Sequence, residues 1–136
     1  MVPLNFFKLC SGKWQLQRKI GEDVTAVGYA EFILSSDSQM DYSEEVVVNY
    51  PGSKMRAYKK YSYCSDQGRV SKYFEGNGLF YNLEFEQYRA YGIHICGQDQ
   101  YKAYYDLSDE NHFIISYKVT GPAKNYLIMS SLIRIS

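Results

Sequence analysis

Turn-forming residues punctuate this sequence at intervals of about eight to twelve residues from Gly12 onward, and that spacing governs what the chain can become. The breakers are Ser35–Ser38, Pro51–Ser53, Asp66–Gly68, Gly76–Gly78, Gly97–Asp99, Ser108–Asn111 and Gly121–Pro122. No segment between them carries the 3.6-residue period of a helix. Instead, apolar residues alternate with polar ones. Trp14, Leu16 and Ile20 share a face with Arg18; Leu79, Tyr81, Leu83 and Phe85 share another, and Phe113, Ile115, Tyr117 and Val119 a third. The pattern predicts strands over 13–20, 28–35, 39–49, 54–64, 69–74, 79–86, 91–96, 100–107, 112–120 and 124–135.

Ten short strands joined by tight turns, without crossover helices, form an antiparallel up-and-down meander. Left open, such a sheet exposes two edges and one apolar face. A sandwich fits the periodicity as well, but closure into a barrel removes the edges. Parity then puts the 21–27 loop and the 97–99 and 121–123 turns at one end of the barrel. Trp14 and Arg134 come together at the other end, where the guanidinium can stack on the indole. Met1–Ser11 reads as a short helix, with Pro3 in its first turn and Leu4, Phe7 and Leu9 facing a core, ended by Gly12 and plugging the Trp14 end. The expected fold is thus all-β, a single antiparallel up-and-down barrel domain of about ten strands over residues 1–136 with a short N-terminal helix.

Aromatic content is high, at 17% with 15 Tyr, which suits pleated surfaces and a polar-aromatic interior. Fifteen basic residues balance fifteen acidic ones, so the basic excess of a nucleic-acid binder is missing. No apolar run reaches the length of a membrane-spanning helix. The three cysteines, Cys10, Cys64 and Cys96, are too few and too scattered for a disulfide framework, and the first residues lack the pattern of a secretion signal. A reducing, cytoplasmic setting is expected, with a monomer or homodimer and no cofactor.

Several motifs go further. Gly12-Lys13-Trp14, with an Arg closing the last strand, resembles the opening motif of lipocalins. Tyr42-Ser43-Glu44-Glu45, the run from His94 through Cys96, Gly97 and Asp99 to Tyr101, and the run Val119-Thr120-Gly121-Pro122-Ala123-Lys124-Asn125-Tyr126 look like an uncharacterised bacterial domain family with a calycin-type barrel. The resemblance covers roughly Phe6 to Arg134. It implies that the barrel is lipocalin-like and carries no established activity.

Polar side chains at one end suggest a binding mouth: Arg18, Tyr42, Glu44, His94, Cys96, Tyr101, Tyr105, Tyr117, Lys124 and Tyr126. An inward Arg18 needs a partner, either Glu44 or an anionic ligand, because an unpaired buried charge is costly. Leu16, Phe32, Leu83 and Ile115 would hold the apolar part of a small molecule. Non-catalytic binding of a small, partly apolar molecule is the favoured reading. Alternatives are an isomerase or hydrolase using His94 with Tyr101 or Tyr105 in acid–base roles, a haem barrel with His94 as axial ligand, and a filled barrel acting as an interaction module through Tyr58, Tyr73, Tyr88 and Tyr91. Cys96 is expected to be a buried, inert thiol, and a dedicated zinc site on His94, Cys96 and Asp99 is not expected, with His112 at the opposite end.

Overall fold

In the computed structural model the chain runs α1 (Pro3–Cys10), β1 (Gly12–Ile20), β2 (Val24–Ser36), β3 (Gln39–Tyr50), β4 (Ser53–Asp66), β5 (Arg69–Phe74), β6 (Leu79–Glu86), β7 (Arg89–Cys96), β8 (Asp99–Asp109), β9 (His112–Gly121) and β10 (Lys124–Arg134). The structure describes the backbone from Pro3 and side chains from Asn5 onward, so Met1, Val2 and the expected core side chain Leu4 lie outside the described residues. Every strand pairs antiparallel with its sequence neighbours, and β1 pairs with β10 to close the ring. The seam runs in register from Trp14 opposite Arg134 to Ile20 opposite Ile128.

One strand starts four residues earlier than expected. The 21–27 loop shrinks to a turn at residues 21–23, and β2 begins at Val24. Residues 24–27 pair back onto β1, from Val24 opposite Ile20 to Val27 opposite Gln17, and Gly28 within the strand is a packing glycine, since a Cβ there would sit 1.9 Å from the Glu45 carbonyl oxygen of β3. All other strand boundaries fall within two residues of expectation.

The end carrying Trp14 is packed solid. Phe6 and Phe7 of α1 are fully buried, and the Phe6 ring lies 5.2 Å from Phe85, 5.7 Å from Tyr63 and 6.3 Å from Tyr105. Trp14 stacks on Phe113 at 4.4 Å and donates its indole N–H to the Cys10 carbonyl at 2.9 Å. The Arg134 guanidinium lies 4.2 Å over the indole and donates to the carbonyls of Leu9 (2.6 Å), Ser11 (2.9 Å) and Glu110 (3.1 Å). It therefore caps the C-terminus of the helix, where carbonyls lack intrahelical partners. Leu16, Phe32, Met40, Leu83, Leu107, Phe113 and Leu132 are buried in the core. Each such side chain contributes roughly 1.5–3 kcal/mol by leaving water. Among the described residues, no helix is long and apolar enough to cross a membrane.

Candidate functional site

The barrel interior holds a cavity of about 160 Å³, whose walls include Arg18, Tyr42, Glu44, Tyr61, Lys72 and Tyr117. That volume is close to what accepts one benzene ring. The three polar or charged side chains buried among the described residues, Glu44, Lys72 and Ser130, all line it. A polar group removed from water is costly unless it is partnered, so their convergence on one cavity marks the site.

Glu44 sits mid-way along β3, where Tyr42, Glu44 and Val46 alternate inward. Its carboxylate takes a two-pronged ion pair from Arg18 of β1, at 2.7 and 2.8 Å, and accepts the Tyr42 hydroxyl at 2.5 Å. The third engaged N–H of Arg18 donates to Ser130 Oγ of β10 at 2.8 Å. Burial works against the carboxylate, but the Arg18 hydrogen bonds and charge outweigh it and hold Glu44 below the ordinary carboxylate range. For Arg18, burial is likewise outweighed, by Glu44, and the guanidinium is held more firmly charged. Burial, with the Glu44 charge beside it, keeps the Tyr42 hydroxyl protonated.

Lys72 of β5 is 4% exposed. Its Nζ donates to the Tyr117 hydroxyl at 3.0 Å, and among the described residues no carboxylate is in ion-pair contact with it. The amine is walled by rings: Tyr61 at 4.1 Å, then Tyr63, Phe80, Tyr81, Tyr42 and Tyr117 at 5.3 to 5.7 Å. Burial pushes its pKa down to about 7; Glu44 opposes the shift, and Arg18 and Lys59 reinforce it. The ring faces favour the ammonium in turn. From Tyr117 a chain of phenols runs down the barrel, to Tyr81 at 2.7 Å, Tyr105 at 2.5 Å and Tyr63 at 2.8 Å. Burial raises the pKa of all four hydroxyls and keeps them as neutral donors.

Of the ten site residues read from the sequence, Arg18, Tyr42, Glu44, Tyr101 and Tyr117 line the cavity, and the other five do not. Tyr105 lies below it, within the phenol chain. Lys124 is tied at the rim to Asp99 at 2.8 Å and to the Tyr101 hydroxyl at 3.4 Å. Tyr126 is half-buried near the start of β10. His94 donates Nδ1–H to the Phe80 carbonyl at 2.9 Å and packs edge-on against Phe74 and Phe80, so its ring belongs to the wall. Its ring centre lies 6.0 Å from that of Tyr101, it does not line the cavity, and the cavity is about one ring in size, far smaller than a haem. Cys96 is exposed at the end of β7, a correction to the buried thiol expected there. Leu16, Phe32 and Leu83 belong to the packed core and not to the cavity wall; Ile115 does line it. Among the described residues, no three His, Cys, Asp or Glu side chains gather as a metal site.

Lys72 was not picked out from the sequence. In Arg69-Val70-Ser71-Lys72-Tyr73-Phe74 a lysine reads as a solvent-facing residue. The available signal was its parity with Val70 and Phe74, opposite the polar face of Arg69 and Ser71.

A closed ten-stranded meander, plugged at one end by a helix and enclosing a polar-aromatic cavity, defines a lipocalin-like barrel. The chain belongs to the family of unknown function DUF6314, whose model matches residues 10–134. No curated protein matches it. Among solved structures it is similar to the S-type phycobiliprotein lyase CPES from Guillardia theta, with a TM-score of 0.74 and 9% identity over 100% of this chain and 94% of that one. It is also similar to the redesigned β-barrel mFAP1 bound to DFHBI, with a TM-score of 0.55 and 10% identity over 94% and 97% of the two chains. A third is a fluorescence-activating β-barrel designed de novo, with a TM-score of 0.57 and 7% identity over 98% and 99%. At these identities the likeness is one of fold.

Proposed function

We propose that this barrel binds a small, partly apolar, anionic molecule of about one ring in size, without turning it over. The observation that carries the reading is charge imbalance. Arg18, Lys59 and Lys72 line the cavity against a single carboxylate, Glu44, which Arg18 already occupies. An anion placed beside the Lys72 ammonium supplies the missing counter-charge, and the flat faces of Tyr61, Phe80 and Tyr117 suit its apolar body. Arg18, Tyr42, Tyr101 and Tyr117 are the other proposed contacts, with Glu44 fixing Arg18. The DFHBI complex of a barrel of this fold supports the reading by analogy. A reducing, cytoplasmic setting is part of the proposal, supported by three free cysteines.

Calorimetric titration with benzoate, and with benzamide as its uncharged counterpart, tests this. Benzoate binding at least about tenfold tighter than benzamide, with the preference abolished in Lys72→Met, is expected from losing one buried charge-assisted contact. Absence of benzoate binding, or equal affinity for both compounds, overturns the reading.

A further inference from the structure

The interior amine has a second capability that follows from its surroundings and rests on the binding reading above. We infer that Lys72 captures the carbonyl group of a small oxo acid as a reversible Schiff base, its amine lying in a desolvated aromatic pocket beside a phenol and a guanidinium. Four observations converge. The amine lines a cavity large enough for a small molecule. One of the three N–H donors of its charged form has a hydrogen-bond acceptor, the Tyr117 hydroxyl, while the rest face rings, which attract the ammonium but do not replace the water it has lost. Its charged neighbours divide, Glu44 favouring the ammonium and Arg18 and Lys59 opposing it, and among the described residues no carboxylate is paired with the amine itself. Arg18 has three of its five N–H groups engaged, by Glu44 and Ser130, leaving two to face the acid group of an oxo acid. Desolvation and a neighbouring cation are the two devices that make a lysine nucleophilic at neutral pH.

The step balances without an added reagent. The nitrogen lone pair adds to the carbonyl carbon, breaking the C=O π bond. The oxygen gains a proton and the nitrogen loses one. The resulting carbinolamine is protonated on its oxygen and expels water, leaving an iminium whose N–H proton returns to the Tyr117 oxygen; carbonyl plus amine become imine plus water. The Tyr117 hydroxyl is the proton donor at hand, and the phenols of Tyr81 and Tyr105 stand behind it.

Pyruvate and cyanoborohydride, followed by peptide mapping of the reduced adduct, test the inference on the full chain at pH 7. Lys72 is expected to be labelled at least about tenfold faster than the exposed Lys54, because burial favours the neutral, nucleophilic form of its amine. Lys72→Arg, which keeps a cation but cannot form an imine, is expected to lose the adduct and retain benzoate binding. Tyr117→Phe is expected to slow adduct formation severalfold. If Lys54 and other exposed lysines are labelled while Lys72 is not, the inference is overturned. Benzoate binding in the same sample then decides whether the binding reading survives it. Equal labelling of Lys72→Arg and the parent overturns it as well.

Discussion

Lys72 Nζ lies 4.1 Å from the centre of the Tyr61 ring, inside a barrel whose paired carboxylate, Glu44, is already held by Arg18. A cation in that position is stabilised by ring faces and destabilised by its removal from water, and the second effect is the larger for a group so fully buried.

Replacing Lys72 by Met keeps the stem volume and removes the charge. Below pH 7 the lysine is charged in both folded and unfolded chains, and the folded state bears the full burial cost. Between about 7 and the ordinary 10.5, the unfolded chain holds the extra proton, so the parent gains stability as pH rises. Lys72→Met is therefore expected to be more stable than the parent by on the order of 3 kcal/mol at pH 6–7, with the gap narrowing toward pH 9.5. Urea denaturation across that range measures it, and a gap independent of pH would show that the amine is not the cause.

The Arg18–Glu44 pair acts in the opposite direction. Glu44→Gln leaves a buried guanidinium without its carboxylate and is expected to cost about 3 kcal/mol near neutrality. Because the carboxylate is held below its ordinary 4.5, its contribution is present above that pH and is lost as pH falls through the folded value. The difference between parent and variant should close in acid. The double change Arg18→Met with Glu44→Gln is expected to be more stable than Glu44→Gln alone, which a double-mutant cycle reads directly.

At the plugged end, Arg134→Ala removes three charge-assisted bonds to carbonyls along with the guanidinium over Trp14. A loss of about 2 kcal/mol is expected. Emission of Trp14, the single tryptophan, should shift to the red as water reaches the indole. Arg134→Lys should recover less than half, since a point charge cannot reach three acceptors in a fixed fork.

Gly92 faces the barrel interior on β7, and a Cβ there would lie 2.4 Å from the Tyr81 ring. Gly92→Ala is expected to cost about 1–3 kcal/mol by overpacking. It should also pull the Tyr81 hydroxyl from between Tyr105 and Tyr117. Loss of one slowly exchanging phenolic proton in an NMR spectrum would report that break; an unchanged spectrum would mean that β7 moves instead.

The fold was legible because its signals are local. Alternation and turn residues are read a few positions at a time, and an antiparallel meander turns them into topology with little left over. The start of β2 was missed because Gly21-Glu22-Asp23 reads as the opening of a longer loop, whereas the strand resumes at Val24 and pairs straight back with Ile20. The site was legible by face and not by height. Parity put Arg18, Tyr42, Glu44 and Tyr117 inside, and there they are. How far up the barrel each inward residue sits depends on strand stagger, which couples all ten strands and is not written in any one of them. Hence Tyr105 falls below the cavity while Cys96 and Lys124 fall at its rim. Lys72 was hidden for another reason: its chemistry argued for solvent more loudly than its position argued for the interior.

Ring closure through Trp14 and Arg134 sets a timetable for synthesis. Nine strands of the nascent polypeptide can pair as they emerge, yet the sheet retains two raw margins until the tenth arrives. Only the closed ring walls the lysine amine and its phenols off from water. Their altered acidity belongs to the finished ring and not to any one strand of it.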